Sequence, residues 1–223
     1  FAITDGKNYV ILPQAKDYKR IGEGDSGPNT GGMGAVSPVS FADKEFMKKV
    51  EDQVIKRTVD GIQKENLDYK GFIFAGLMNV EGNPYVIEYN VRMGDPETQV
   101  VIPRIKNDLL AIIIDCLESN LEDDTLDIDD RFVTTVILAA NGYPNNYNKG
   151  DEIGNLSEEN NTKIFHAGTK SLEDKILSNG GRVLACTGFG KGINEALTNS
   201  YKIAKKISWN NKYFRNDIGK DLI

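Results

Sequence analysis

Histidine, cysteine and tryptophan are nearly missing from this 223-residue chain, which has one, two and one of them. With His166 as the only imidazole, no Ser-His-Asp or Cys-His set can be assembled, and no cysteine-rich zinc spacing occurs. Hydrolase and zinc readings fall away. Cys116 and Cys186 each sit inside an apolar stretch, the way a reduced, cytosolic protein uses cysteine as a small hydrophobe. Long apolar runs are lacking too. The longest, 109–117 and 136–140, fall far short of the ~20 residues that cross a bilayer, so no membrane partner is expected. Nor is there an excess of positive charge: 27 Lys and Arg against 33 Asp and Glu leave −6, with the signs interspersed. No basic face is available to grip a phosphodiester backbone, and nucleic acid is not an expected partner. An initiator Met is also missing. The opening Phe1-Ala2-Ile3-Thr4-Asp5-Gly6 already reads as a strand and a turn, so a piece lacking its N-terminal part is expected.

What is present is ordinary globular composition, 39% hydrophobic and 27% charged, enough for one large domain or two small ones. Apolar pieces at 1–3 and 9–12 flank the turn Asp5-Gly6-Lys7-Asn8 and predict a hairpin. A glycine-rich loop follows over 21–37. Phe46, Val50, Val54, Thr58 and Ile62 recur every fourth residue, predicting a helix over 43–66 with one buried face and Asp43 as its cap. Strands are expected at 71–80 and 83–91 around Glu81-Gly82-Asn83, then a helical region over 96–120. The acidic run Glu122-Asp123-Asp124, with Asp127, Asp129 and Asp130, breaks the pattern. A boundary there predicts two domains, 1–120 and 121–223. The second is expected to be a small α/β unit, with strands at 132–140, 163–167 and 182–187 and a helix over 193–207.

Alternation along Tyr85-Val86-Ile87-Glu88-Tyr89-Asn90-Val91-Arg92 places Val86, Glu88, Asn90 and Arg92 on one strand face and Tyr85, Ile87, Tyr89 and Val91 on the other. Side chains two apart stand ~6.5–7 Å apart at the backbone. A carboxylate and an amide oxygen at that spacing can converge on a hard cation that takes oxygens at ~2.1 Å. A solvated polar face has the same pattern. The continuation Met93-Gly94-Asp95-Pro96-Glu97-Thr98-Gln99 packs charge where the strand ends, and such loops are where sites are built. Asp95 and Glu97 also suit a helix N-terminus, so capping and chemistry both remain open for them.

The stretch Gly27-Pro28-Asn29-Thr30-Gly31-Gly32-Met33-Gly34 offers backbone N–H groups with little side-chain obstruction, as an anion cradle requires. It is not a Walker A loop, since no Gly-Lys-Ser/Thr follows. Gly22-Glu23-Gly24-Asp25-Ser26-Gly27 fits G-x-G-x-x-G literally, yet its two carboxylates would repel a pyrophosphate. Gly188-Phe189-Gly190-Lys191-Gly192 reads as a tight strand-to-helix turn. Lys16, Lys19 and Arg20 are either anion contacts or a solvated patch, and His166 reads as structural.

Taken together, Lys16-Asp17-Tyr18-Lys19-Arg20, the run from Gly24 through Ala35, and Val86-Ile87-Glu88-Tyr89-Asn90-Val91-Arg92-Met93-Gly94-Asp95-Pro96-Glu97-Thr98-Gln99 closely resemble the phosphoribosylamine–glycine ligases, members of the ATP-grasp superfamily. Ala139-Ala140-Asn141-Gly142-Tyr143-Pro144, Phe165-His166-Ala167-Gly168-Thr169 and Asn179-Gly180-Gly181-Arg182-Val183-Leu184 extend the resemblance over essentially the whole chain. It implies an α+β fold: an ATP-grasp C-terminal lobe, with antiparallel or mixed sheet and helices, followed by the small C-terminal domain. The implied reaction is ligation of glycine to 5-phosphoribosylamine through a glycyl phosphate, with ATP as co-substrate and Mg2+ or Mn2+ as cofactor. The residues that carry over are Glu88 and Asn90 as metal ligands, and Arg92 and Asp95 as catalytic groups. Lys19, Arg20, Pro28, Asn29, Thr30, Gly31, Gly32, Met33, Gly34, Pro96, Glu97 and Thr98 carry over as substrate or phosphate contacts. Two departures limit it. Tyr18 stands where the family usually has histidine, so no imidazole role transfers there. The first ATP-grasp lobe, which holds most of the nucleotide, is not in these residues and is expected as a partner from the same enzyme. Two alternatives remain: another ATP-grasp carboxylate–amine ligase, and a non-catalytic nucleotide-binding module.

Overall fold

The computed structural model describes residues 1–122 and 126–223, so Asp123 and Asp124 of the acidic run lie outside the described residues. In chain order the strands and helices are β1 (Ala2–Thr4), β2 (Tyr9–Ile11), β3 (Lys16–Asp17), β4 (Arg20–Gly22), β5 (Ser26–Asn29), β6 (Gly34–Ser37), α1 (Lys44–Val50), α2 (Lys56–Lys64), β7 (Gly71–Val80), β8 (Asn83–Asn90), α3 (Thr98–Val101), α4 (Leu109–Glu118), β9 (Phe132–Ala139), β10 (Thr162–His166), β11 (Thr169–Leu172), β12 (Lys175–Ser178), β13 (Arg182–Gly190) and α5 (Ile193–Lys206). They form two compact units that interleave along the sequence, where a single linear boundary at 120/121 had been expected. The first takes 1–14, 38–94 and 101–129; the second takes 15–37, 95–100 and 130–223. Among the described residues no helix is long and apolar enough to cross a membrane.

The first unit is an antiparallel sheet in the order β2-β1-β7-β8 with helices packed on it. Asp43 caps α1, its Oδ1 accepting from the N–H of Phe46 at 2.8 Å. The expected four-residue repeat is only partly kept, for a geometric reason. At 3.6 residues per turn, a repeat of four drifts by roughly 40° per step. A π-helical turn over Glu51–Ile55 joins α1 to α2 and inserts one residue. The buried face therefore runs Phe46, Val50, Val54 and then Ile55, Val59, Ile62, each side chain contributing roughly 1.5–3 kcal/mol by burial. Thr58, expected on that face, is displaced from it; its hydroxyl donates to the Val54 carbonyl at 2.7 Å and lies 3.0 Å from the Tyr89 hydroxyl. The helical region over 96–120 is also broken. Pro103, which has no N–H, sits in a 3-10 turn Ile102–Arg104 after α3, and Asp108 caps α4 afresh through Leu110 and Ala111. Cys116 is buried, its thiol donating to the Thr4 carbonyl at 3.0 Å.

The second unit is an antiparallel sheet in the order β10-β13-β9-β6-β3, with α5 laid against β9 and β13. Residues 21–37 are not one loop: β4 and β5 pair as a hairpin and β6 joins the main sheet, Ala35 facing Thr135. β9 is almost wholly buried, and its two central threonines are satisfied side chain to side chain: Thr134 with Ser200 at 2.9 Å, Thr135 accepting from Thr187 at 2.9 Å. Gly188 and Gly190 lie within β13 and not in the expected turn, which begins at Lys191. A Cβ at Gly188 would fall 2.3 Å from the Ser200 nitrogen, and one at Gly190 would fall 2.4 Å from that of Ala196. These glycines let α5 press directly on the strand. The β11–β12 hairpin was not foreseen.

Candidate functional site

In the first unit the candidate metal residues stand on β8, an edge strand with several exposed side chains. Gly76 faces Glu88 and Phe74 faces Asn90, so the carboxylate and the amide share a face as alternation predicts. Between Gly76 and Leu77 the register slips: Leu77 faces Val86, leaving Ile87 as the extra residue of a bulge. Val86 is thereby moved to the face of Tyr89, and Tyr85 joins Glu88 and Asn90, which corrects the strict two-residue assignment beyond the bulge. Glu88 is exposed, and opposite it Gly76 leaves room: a Cβ there would sit 3.0 Å from the Glu88 Cγ. Asn90 is tied on one side only. Its Oδ1 accepts from an Arg92 nitrogen at 3.2 Å, while its Nδ2 is buried without a partner. Arg92 also donates to the Met93 carbonyl at 3.1 Å. Among the described residues no three His, Cys, Asp or Glu side chains gather to hold a metal. Two hard oxygens on an exposed face fit a cation that keeps other oxygens from water or phosphate, as Mg2+ does.

In the second unit the glycine-rich segment is not an open cradle. Thr30 N–H and Oγ1 both donate to the Lys19 carbonyl at 2.8 Å, Gly31 N–H to the Tyr143 hydroxyl at 3.1 Å, Gly32 N–H to Thr30 Oγ1 at 2.9 Å and Met33 N–H to the Tyr18 carbonyl at 2.7 Å. Four of the N–H groups expected to hold an anion, those of Thr30 to Met33, are already satisfied within the chain. The glycines answer to packing instead. A Cβ at Gly31 would meet the Arg182 guanidinium at 2.7 Å; one at Gly32, where φ is +124°, would meet the Pro96 ring at 2.4 Å. Met33 and Gly34 are buried.

Arg182 is the organiser that motif reading passed over. It donates to the Asp95 carbonyl at 2.6 Å and pairs with the Asp95 carboxylate at 3.0 Å, while Gln99 donates to the other Asp95 oxygen at 2.9 Å. Asp95 is thus held from two sides, and the Asp95–Pro96 peptide is cis. Glu97 is 4% exposed; burial, then the neighbouring charge of Asp17, pushes its carboxyl up to about 6, with Lys19 opposing. Lys19 pairs with Asp17 at 2.5 Å. The structure therefore gathers Lys19, Gly31, Gly32, Asp95, Pro96, Glu97 and Arg182 in one place. It leaves Pro28 and Asn29 exposed on β5, and gives Arg20 to the Gly27 carbonyl at 2.9 Å. Thr98 begins α3. His166 is exposed at the end of β10, its Nδ1 3.0 Å from Thr169 Oγ1, away from any of these contacts. Arg182 and Tyr143 carry no sequence signal beyond lying in stretches that resemble the family.

Comparison with known proteins divides the chain linearly, so that residues 15–37 fall in the first matched domain although they belong to the second unit. Residues 1–98 match the model of the phosphoribosylglycinamide synthetase ATP-grasp (A) domain, and 133–221 match that of its C domain. A phosphoribosylamine–glycine ligase of Vibrio parahaemolyticus is 43% identical over 220 residues, which is 97% of this chain and 51% of the relative. The crystal structure of the Thermotoga maritima phosphoribosylamine–glycine ligase superposes with a TM-score of 0.87 at 39% identity, over 97% of this chain and 54% of that one. The biotin carboxylase domain of Hydrogenobacter thermophilus 2-oxoglutarate carboxylase, solved with MgADP, shares the fold at 12% identity and a TM-score of 0.64, covering 96% and 46%. The chain spans about half the length of the curated relatives it matches.

Proposed function

The chain belongs to the phosphoribosylglycinamide synthetase family, and from that premise we propose that its parent protein ligates glycine to 5-phosphoribosylamine at the expense of ATP. A carboxylate oxygen of glycine takes the terminal phosphoryl group, releasing ADP. The amine then attacks the carbonyl carbon of the glycyl phosphate and loses a proton, and phosphate leaves with the glycinamide ribonucleotide formed. The antiparallel α+β fold is that of ATP-grasp proteins. Because the relatives are about twice as long, the activity is assigned to the whole protein.

The observation that carries this reading is the pair of oxygen donors on the exposed face of β8. Glu88 and Asn90 would hold Mg2+ or Mn2+, which when bound offsets phosphate charge as the phosphoryl group moves. Arg92 donates to the same Asn90 oxygen that would take the ion, and its guanidinium would meet a phosphate there. Lys19 supplies positive charge beside Gly31 and Gly32, and Asp95, anchored by Arg182, keeps the strand-end turn in one conformation. With its N–H groups engaged, the glycine-rich segment contributes a close-fitting surface; its charge comes from the flanking side chains.

The test is phosphate release by the full-length protein. Release that needs both glycine and phosphoribosylamine upholds the assignment. Release with a different acid or amine makes it another carboxylate–amine ligase of the same fold, and nucleotide binding with no turnover makes it a non-catalytic module.

A further inference from the structure

The hairpin of β4 and β5 carries part of the proposed substrate segment and has almost no core of its own, Ser26 through Asn29 all being exposed. Its seat is built by residues from the far end of the same unit. Arg215 is 1% exposed and keeps every face of its guanidinium engaged. Nε and one terminal nitrogen donate to the two oxygens of Asp217 at 2.8 and 2.7 Å; the other terminal nitrogen donates to the Arg20 carbonyl at 3.0 Å and to Asp25 at 2.8 Å. The guanidinium carbon lies 5.5 Å from the ring centre of buried Tyr18, whose hydroxyl donates to Asp221 at 2.6 Å. Around it, Gly24 N–H donates to Asp217, Asn216 donates twice to Glu23, and the Tyr213 hydroxyl donates to the Ile21 carbonyl.

This hub has two halves. Asp217 belongs to the segment of Arg215 itself, so the charge stays paired within that segment. The Arg20 carbonyl and Asp25 belong to the hairpin, and they complete the coordination of a cation that burial makes costly to leave short of acceptors. The hairpin is therefore drawn to one position. Lys19 precedes β4, and Thr30, which bonds to the Lys19 carbonyl, follows β5, so a shift of the hairpin moves Lys19 and residues 28–30 together.

We propose that Arg215 is a positioning residue for substrate binding: it seats residues 20–29 so that Lys19 and residues 28–32 keep the geometry that the acceptor amine and its phosphate need. This rests on the ligase reading above. The test compares Arg215→Met, Arg215→Lys and Asp25→Asn in the full-length enzyme by hydrogen exchange and by steady-state kinetics. Arg215→Met should raise exchange at residues 20–30 by roughly ten-fold or more and raise the KM for phosphoribosylamine similarly, leaving kcat and the KM for ATP within about two-fold. Arg215→Lys should fall between it and the wild type. Unchanged exchange over 20–30, or a fall in kcat with no change in that KM, overturns the proposal. If Arg215→Met also loosens β9, β13 and α5, Asp25→Asn decides, because it takes the charge from one of the two hairpin acceptors and leaves the Arg215–Asp217 pair intact: local loosening upholds, and none overturns. An enzyme without ligase turnover would sink the functional reading, and the exchange result would still decide whether Arg215 seats the hairpin.

Discussion

β8 in the first unit and the glycine-rich segment in the second were equally prominent as motifs, yet their side chains and backbones are used in opposite ways. On β8 the proposed metal ligands are side chains: Glu88 is exposed, and the Asn90 oxygen is held only by Arg92. In the glycine-rich segment the N–H groups of residues 30–33 are engaged, and Arg182 and Pro96 lie where side chains at Gly31 and Gly32 would go. A motif can thus mark a place where ligand chemistry is displayed or a place where the chain is packed to hold other groups in position. Composition does not tell the two apart.

Breaking that comparison begins with the largest expected effect. Glu88→Ala should lower turnover of the full-length enzyme by roughly 10²–10³-fold at saturating Mg2+, with urea stability unchanged to within about 0.5 kcal/mol because the side chain is exposed. A loss of stability in place of activity would make β8 structural. Gly32→Ala should do the reverse, destabilising the second unit by about 2–3 kcal/mol in urea unfolding, since it adds a Cβ at φ +124° against the Pro96 ring. Gly24→Ala is its control. There φ is +63° and nothing lies within 4 Å of the added carbon, so a cost of about 1 kcal/mol is expected.

The buried carboxyl of Glu97 gives a finer test. Its folded value, raised to about 6, lies above the ordinary 4.5, so the native state binds the proton more tightly than the unfolded chain. Stability from this group is present below the unfolded value and is lost as pH climbs through about 6. At about 1.36 kcal/mol per pH unit, the loss is about 2 kcal/mol by pH 7. Glu97→Gln should flatten that stretch of the stability curve and leave the protein more stable at pH 7 to 8, while weakening substrate binding if Glu97 serves the site. A stability curve of unchanged slope between pH 4.5 and 6 would show that this carboxyl titrates normally. The smallest effect belongs to Thr58→Val, expected to change stability by about 1 kcal/mol or less, because it removes only the contacts to Val54 and Tyr89.

Local signals were legible where the cause is local. Asp43 reads as a cap and is one, and the hairpin around Asp5-Gly6-Lys7-Asn8 forms as its turn residues predict. Glu88 and Asn90 share a face because their spacing of two lies on the unbulged side of the slip at Ile87. What was hidden depends on residues far apart in the chain. The π turn at Glu51–Ile55 keeps the helix facing its sheet by moving the seam from Thr58 to Val59, an adjustment visible only against a packed partner. Gly188 and Gly190 read as a turn until α5 is laid across them. Tyr18 is the floor beneath Arg215, with a hydroxyl bound to Asp221. The engagement of Gly31 by Tyr143 and Arg182 spans more than a hundred residues of sequence.

The interleaving of the two units bears on how such a chain can be taken apart. The polypeptide changes unit at 14/15, 37/38, 94/95, 100/101 and 129/130. A gene fragment cut at the acidic stretch would express β9, β10, β13 and α5 without β6, leaving Val133 to Val136 of β9 without the strand that pairs with them. That raw margin, lined with unpaired amides and carbonyls and made of near-continuous apolar sequence, is what drives chains to stick to one another. Truncation at this point should lower the soluble yield of residues 130–223 relative to a chain that retains 15–37, which expression of the two side by side would measure.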